Sequence, residues 1–309
     1  MAAQPPIHVD VPRVVFPTTV RDSSGRFLTD LQAGDFEVFD GSTRIDATVD
    51  PPLTGLAPVS LVVAVQSSGI SAAVLAKVKK AAATIPLAVA GDGGEIALIS
   101  YADEVRLVQD FTGDEFAFSD AVEKLRPGAD NSAVSLDAVE QAMTLLENRK
   151  GDRRRAILLI SESRDRGSKT SFKRVLEHAQ ASGIVIYCLT YSAYTTPFTA
   201  KPEELAQPGD FSLLALIVEP ARLLKTNLAT ALTSATGGSH LTFTRLRGLE
   251  NDLLDAGKEL HSEYLVSFRP TNDPPDDFHK VTIRVKGRDS AKVRTRSGYW
   301  ASSQGREAP

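Results

Sequence analysis

The chemistry open to this chain is confined to a few polar clusters. Gln66-Ser67-Ser68-Gly69-Ile70 follows the apolar run Val59–Val65, and Ser161-Glu162-Ser163-Arg164 follows Ala156–Ile160. Asn131-Ser132-Ala133 stands just before a helical stretch. Hydroxyl, carboxamide and carboxylate groups at the ends of buried strands are the material of hard-cation sites and polar contact edges. Nucleophilic chemistry is not indicated, because Ser68 lacks the Gly-x-Ser-x-Gly turn that exposes a catalytic serine. Five histidines, His8, His178, His240, His261 and His279, stand in unrelated surroundings without metal-ligand spacing. His178, between Glu177 and Ala179, reads as a surface or helix-packing residue. Gly91-Asp92-Gly93-Gly94 lacks the Lys-Ser/Thr of a phosphate loop, and Asp103-Glu104 reads as a hairpin turn. The one cysteine, Cys188, lies in the apolar run Ile184–Leu189, so it is a core thiol without an internal disulfide partner. No enzymatic constellation emerges.

The elements that must position these clusters fall into three blocks. With 309 residues, 42% hydrophobic and 24% charged, the chain can bury two cores. Its net charge of −4 comes from interspersed charges without a basic tract carrying aromatics, which argues against nucleic acid as a partner. No apolar run reaches the roughly 18 residues that a membrane span needs. Arg153-Arg154-Arg155 reads as a solvated lead into the following strand.

Residues 11–55 carry short β-type runs broken by Asp22-Ser23-Ser24-Gly25 and by the hairpin signal Asp40-Gly41. Residues 56–262 alternate strands (Val59–Val65, Glu95–Tyr101, Val105–Val108, Ala156–Ile160, Ile184–Leu189, His240–Phe243) with helices. The helices are expected at Ala72–Leu87, Asp114–Leu125, Ser135–Glu147, Phe172–Ala181, Leu223–Thr236 and Leu249–Leu260, with hydroxyl caps from Ser168 to Ser171. Such alternation implies an α/β fold: a doubly wound, mostly parallel sheet with helices on both faces. Residues 190–223 form a long irregular excursion, with a helix expected at Phe211–Val218. Residues 263–301 return to β character around the turn Pro274–Asp277. Each flanking block is too short for its own core, so the two are expected to pair into one small β-rich domain of β-sandwich type, with the α/β unit inserted between them and tails at 1–10 and 302–309.

The stretch from Val20 to Gly41, with Asp22, Gly25, Leu28, Leu31, Asp35-Phe36 and Val38, resembles the opening of the von Willebrand factor A (vWA)-related domain proteins common in Acidobacteria. Tyr264–Pro270 and Arg296-Ser297-Gly298-Tyr299 match their closing pattern, so the resemblance spans roughly residues 11 to 300. It implies a Rossmann-like vWA fold whose loops would hold a divalent cation in a metal-ion-dependent adhesion site (MIDAS). The matching positions are Gln66 for the first aspartate, Ser68 and Ile70 for the two serines, Ala133 for the threonine and Glu162 for the last aspartate. Losing a carboxylate and two hydroxyls from a hard-oxygen set implies a degenerate site without a cofactor; the alternative is weakly held Mg²⁺ or Ca²⁺ at the remnant. The resemblance thus implies a non-enzymatic module for protein binding or cell adhesion, contacting a protein partner through Gln66, Ser67, Ser68, Asn131, Ser132, Glu162 and Arg164. The alternative is a structural envelope protein using its β domain or residues 190–223. Met1-Ala2-Ala3-Gln4-Pro5-Pro6 reads as the remainder of a signal-peptide cleavage region behind an added Met, implying a secreted, periplasmic or cell-envelope location.

Overall fold

The computed structural model describes residues 13–52, 58–149, 153–162, 164–191, 220–270, 278–296 and 298–300. The tails, the helix expected at Phe211–Val218, most of the excursion 190–223 and the Pro274–Asp277 turn lie outside the described residues.

The central sheet is built from β5 (Val59–Gln66), β6 (Glu95–Tyr101), β7 (Val105–Thr112), β8 (Arg154–Ser161), β9 (Val185–Thr190) and β10 (His240–Thr242). Its order is β10-β9-β8-β5-β6-β7, parallel throughout except for the antiparallel edge strand β7. Every residue of β5 is buried, as expected of a strand covered on both faces. Val59, Leu61, Val63 and Val65 pack into one core and Val62 and Ala64 into the other. The first core is closed by α1 (Ala72–Ala81), α2 (Glu115–Glu123) and α6 (Leu246–His261). The second is closed by α3 (Ser135–Glu147), α4 (Phe172–Ser182) and α5 (Pro220–Thr236).

Helix ends follow local chemistry. Asp114 caps α2, its carboxylate accepting from the N–H groups of Phe116 and Ala117, and Ser171 caps α4 by accepting from Arg174 N–H. Ser168 serves a different helix than its position suggests: its hydroxyl accepts from Leu136 N–H at the start of α3. The helix expected over Ala72–Leu87 is shorter, because the chain leaves α-geometry after Ala81 and Pro86–Ala90 forms a π-helical turn. There Gly257 of α6 meets the turn so closely that a Cβ would lie 1.8 Å from the Ala88 carbonyl oxygen.

The first and last segments pair. Strands β1 (Val14–Arg21), β2 (Phe36–Asp40), β3 (Thr43–Ile45) and β4 (Thr48–Asp50) combine with β11 (Tyr264–Phe268), β12 (Phe278–Val285), β13 (Lys292–Thr295) and β14 (Gly298–Trp300). They make two four-stranded antiparallel sheets, β13-β1-β11-β4 and β14-β12-β2-β3. Their inward residues, among them Phe16, Phe36, Val38, Val266, Phe268, Ile283 and Tyr299, share one core. Tyr264 Oη donates to Leu28 O (3.0 Å) and accepts from Leu31 N–H (2.9 Å), pinning the crossing between the sheets.

Polar side chains join these sheets to the α/β unit. Glu259, at the end of α6, faces Arg21 of β1 at 3.3 Å and Arg294 of β13 at 3.0 Å. Arg296 is buried with its guanidinium 4.3 Å above the Phe16 ring and donates to Gln180 O in the last turn of α4. Only Arg153 of the arginine run is exposed as a solvated lead would be. The Arg154 side chain is 7% exposed and donates to the Glu263 carbonyl at 2.6 Å while its guanidinium faces the Glu263 carboxyl group at 3.5 Å. Burial at the foot of the sheet, not the sequence run, decides its surroundings.

Candidate functional site

At the carboxyl edge of the central sheet, β5 ends in Gln66 and the chain turns through Ser67 and Ser68 into a 3-10 turn, Gly69–Ser71, that leads into α1. A second loop, Gly128–Val134, lies directly against it. Gly69 N–H donates to Asp130 O and Gly128 N–H to Ser67 O, both at 2.6 Å. A Cβ at Gly69 would come within 3.1 Å of Asp130 O and 3.2 Å of Gly128 O, so any larger residue would push against the second loop. The third loop, after β8, is tied to the second by a bridge: Ala133 N–H donates to Arg166 O (3.0 Å) and Arg166 N–H to Ala133 O (2.8 Å).

Within this frame the Gln66 carboxamide joins the first loop to the third. Its Oε1 accepts from Glu162 N–H at 2.9 Å, and its Nε2 donates to Ser68 Oγ at 2.8 Å. From Ser68 the hydroxyls continue to Ser71 Oγ (3.1 Å) and on to Tyr191 Oη (2.7 Å) at the end of β9. Burial pushes the Tyr191 hydroxyl up to about 12, with Ser71 and the positive charge of Arg166 pulling the other way, so it is protonated at neutral pH. The Glu162 carboxylate is ion-paired with Arg166. Asp137, on α3, holds the third loop by accepting from the N–H groups of Lys169 and Thr170. Partial burial raises Asp137, but these N–H groups and the Thr170 hydroxyl outweigh it, leaving its carboxyl below its ordinary value.

The expected contact rim divides in two. Gln66, Ser67, Ser68 and Glu162 are buried, at 1%, 6%, 0% and 6% exposure, so they stand beneath the surface rather than on it. Ser67 Oγ is bonded to Ser100 Oγ at 2.7 Å. Asn131 and Arg164 are exposed and Ser132 is half-buried. Ala133 is fully buried and presents only a methyl group. Ser163 and the Ile70 side chain lie outside the described residues. Sequence reasoning gave no part to Arg166, Ser71 or Tyr191. The available signals were the spacing of four between Glu162 and Arg166 and the place of Tyr191 just past a parallel strand.

Among the described residues no base stands next to the Ser68 hydroxyl: its partners there are a neutral amide and a second serine. His178 lies far along α4, between Glu140 (3.1 Å) and Glu147 (2.9 Å) of α3, and ties the two helices together. Asp103 and Glu104 form the tight turn from β6 to β7, and the Cys188 thiol is fully buried and pushed up by that burial. Among the described residues no group of three or more His, Cys, Asp or Glu side chains is arranged to hold a metal ion, and no helix is long and apolar enough to cross a membrane.

The doubly wound sheet with an antiparallel edge strand, together with loops converging at its carboxyl edge, is the α/β fold of von Willebrand factor A domains. No family model and no curated protein matches the chain. Among solved structures, a von Willebrand factor type A protein from Catenulispora acidiphila aligns with 97% of this chain and 76% of its own, at 12% identity and a TM-score of 0.48. Proximal thread matrix protein 1 from the mussel byssus aligns over 72% of this chain and 51% of its own, at 12% identity and a TM-score of 0.50. The vWF domain of the type V pili tip protein Mfa5 from Porphyromonas gingivalis aligns over 67% and 95%, at 13% identity and a TM-score of 0.41. At such identities the likeness concerns architecture alone.

Proposed function

We propose that this protein is a non-enzymatic protein-binding module of vWA type whose loop edge is held together by its own side chains instead of a divalent cation. The observation that carries the proposal is the Gln66 carboxamide, which spans Ser68 and the Glu162 backbone where the fold family places a metal-binding carboxylate. Mg²⁺ and Ca²⁺ require several hard oxygens, with carboxylates supplying the charge that offsets dehydration. Here the amide is neutral, the Ser68 hydroxyl is engaged on both sides, Ala133 offers a methyl group, and the Glu162 charge is met by Arg166. That donor set does not fit a hard divalent cation. A guanidinium and an amide give the loops the cross-links that an ion would give, and they do so independently of cation concentration.

With the buried residues serving as a frame, a protein partner meets the exposed Asn131, Arg164 and the edge of Ser132. The first and last segments form one domain into which the vWA unit is inserted, and the protein works outside the cytoplasm, secreted or in the cell envelope. Calorimetry at roughly 10–20 mM MgCl₂ or CaCl₂, enough to load weak hard-cation sites, tests the metal-free reading. No stoichiometric heat and an unchanged melting temperature are expected. Uptake of one ion per chain, lost in Ser68→Ala, would overturn it. Partner capture from the source cell envelope should survive chelator and fail with Arg164→Glu.

A further inference from the structure

A second surface lies at the opposite end of the sheet, where β6 begins and β7 ends. A cavity of about 300 Å³ opens there, between the π-helical turn, the Gly91–Gly94 turn and the start of α2. Its floor is apolar, with Ile96 and Phe118 buried behind it and Leu87 at its side. At one side Gly94 folds so closely over Ala90 that a Cβ would lie 2.2 Å from the Ala90 carbonyl oxygen. Three carboxylates, Asp92, Asp114 and Glu115, line it, and no basic side chain does. The Asp114 carboxylate caps α2, while those of Asp92 and Glu115 have no hydrogen-bond or ion-pair partner among the described residues.

Two large apolar side chains are exposed here, one in the lining of the cavity and one next in sequence to it. Leu87 is 64% exposed, and Phe116, next to Glu115, is 81% exposed; these are the two most exposed large apolar side chains among the described residues. A cavity with apolar lining and charged groups at its edge is the usual form of a contact site, and a pocket of this size takes one or two side chains. The charges select what can enter: uncommitted carboxylates above an apolar floor repel acidic segments and favour ammonium or guanidinium groups.

We propose that this cavity is a docking site for a protein segment in which apolar anchor side chains are flanked by lysine or arginine. The apolar residues cover Leu87 and Phe116 and fill the floor, and the basic ones sit against Asp92 and Glu115. The site is separate from the carboxyl-edge loops, so it stands whether or not those loops bind a partner.

A capped, labelled peptide Gly-Lys-Leu-Phe-Lys-Gly, with counterparts carrying glutamate or serine in place of lysine, tests this by NMR titration to about 1 mM, where weak but specific contacts are visible. The lysine peptide is expected to shift the amides of Gly91–Gly94 and Gly113–Glu115. Asp92→Asn and Glu115→Gln should each weaken binding about threefold, as exposed ion pairs do, and Phe116→Ser should abolish it. All three positions are exposed, so these variants keep the fold. Arg166→Ala should leave the titration unchanged. Equal binding of all three peptides, shifts mapping elsewhere, or no shifts at all would overturn the proposal. So would concentration-dependent self-association removed by Phe116→Ser, which would make the patch an interface between copies of this chain.

Discussion

Replacing Gln66 with methionine keeps the length and apolar stem of the side chain and removes both ends of the carboxamide. Gln66 is 1% exposed, so the groups it leaves behind gain little access to water. The variant loses the donation to Ser68 Oγ at 2.8 Å and the bond accepted from Glu162 N–H at 2.9 Å. Ser68 keeps Ser71 as a partner, but the Glu162 N–H is stranded. One neutral hydrogen bond at about 1 kcal/mol and one buried donor left unpaired at about 1–3 kcal/mol give a loss of about 2–4 kcal/mol. At about 2–4 °C per kcal/mol for a chain of this size, the melting temperature should fall by roughly 5–15 °C. Calorimetry and urea titration measure the loss, and amide exchange at Glu162 should accelerate beyond that of neighbouring strand residues. A variant within about 0.5 kcal/mol of the parent, the usual range of neutral surface changes, would show that the amide is not a brace. The loops would then be held by their backbone contacts, Gly69 to Asp130 and Gly128 to Ser67, with the amide a bystander.

Two of the groups through which stability should depend on pH are Glu263 and His178. Burial pushes Glu263 up to about 7 against the pull of Arg154 and Tyr187, so the folded chain keeps a proton that the unfolded chain releases near 4.5. Stability contributed by that proton is full below about pH 4.5 and declines as pH rises to 7, by at most about 3 kcal/mol; urea midpoints at the two ends of the window should show this slope, and Glu263→Gln should flatten it. Partial burial opposes the His178 imidazolium, but Glu147 and Glu140 outweigh it and raise its pKa, so its contribution is full below pH 6.5 and fades as pH climbs through the raised value. His178→Gln should remove that second decline in the same titration. Gly257→Ala forces a methyl group against the Ala88 carbonyl and should cost about 1–3 kcal/mol by urea unfolding, although its helical backbone suits alanine. Ser171→Ala should cost about 1 kcal/mol through the lost cap of α4, seen as a lower urea midpoint with an unchanged slope.

Much of the architecture was legible because periodicity and turn chemistry act locally. Ser135–Glu147 reads as helix from its apolar spacing alone, and α3 has those bounds. Asp40-Gly41 reads as a hairpin, and Gly41 takes φ of 59° between β2 and β3. The boundaries that moved did so for tertiary reasons. Strand β7 extends to Thr112, well past the apolar residues that mark its start, because pairing with β6 carries it on through polar positions. Helix α1 ends five residues before Pro86, where α6 packs against the following turn.

The loop edge was legible only in part. Its position followed from strands ending in polar residues, and the hydroxyl and carboxylate types could be read one by one. Their states could not, since four of the seven residues expected on the rim are buried by loops far away in the chain. Arg166 gains its role only when the third loop folds back on the second and brings its guanidinium to Glu162.

Residue types and their order were enough to place the strands and helices, to show that the first and last blocks lack cores of their own, and to show which oxygen donors are absent at the sheet edge. These depend on residue type and near-neighbour spacing. Packing in three dimensions set the rest: Gln66 bridges two loops, the Arg154 side chain is covered beside Glu263, and Leu87 lines an acidic cavity. Burial and charge pairing depend on distances between residues remote in the chain, and those distances exist only once the sheet and its helices have packed.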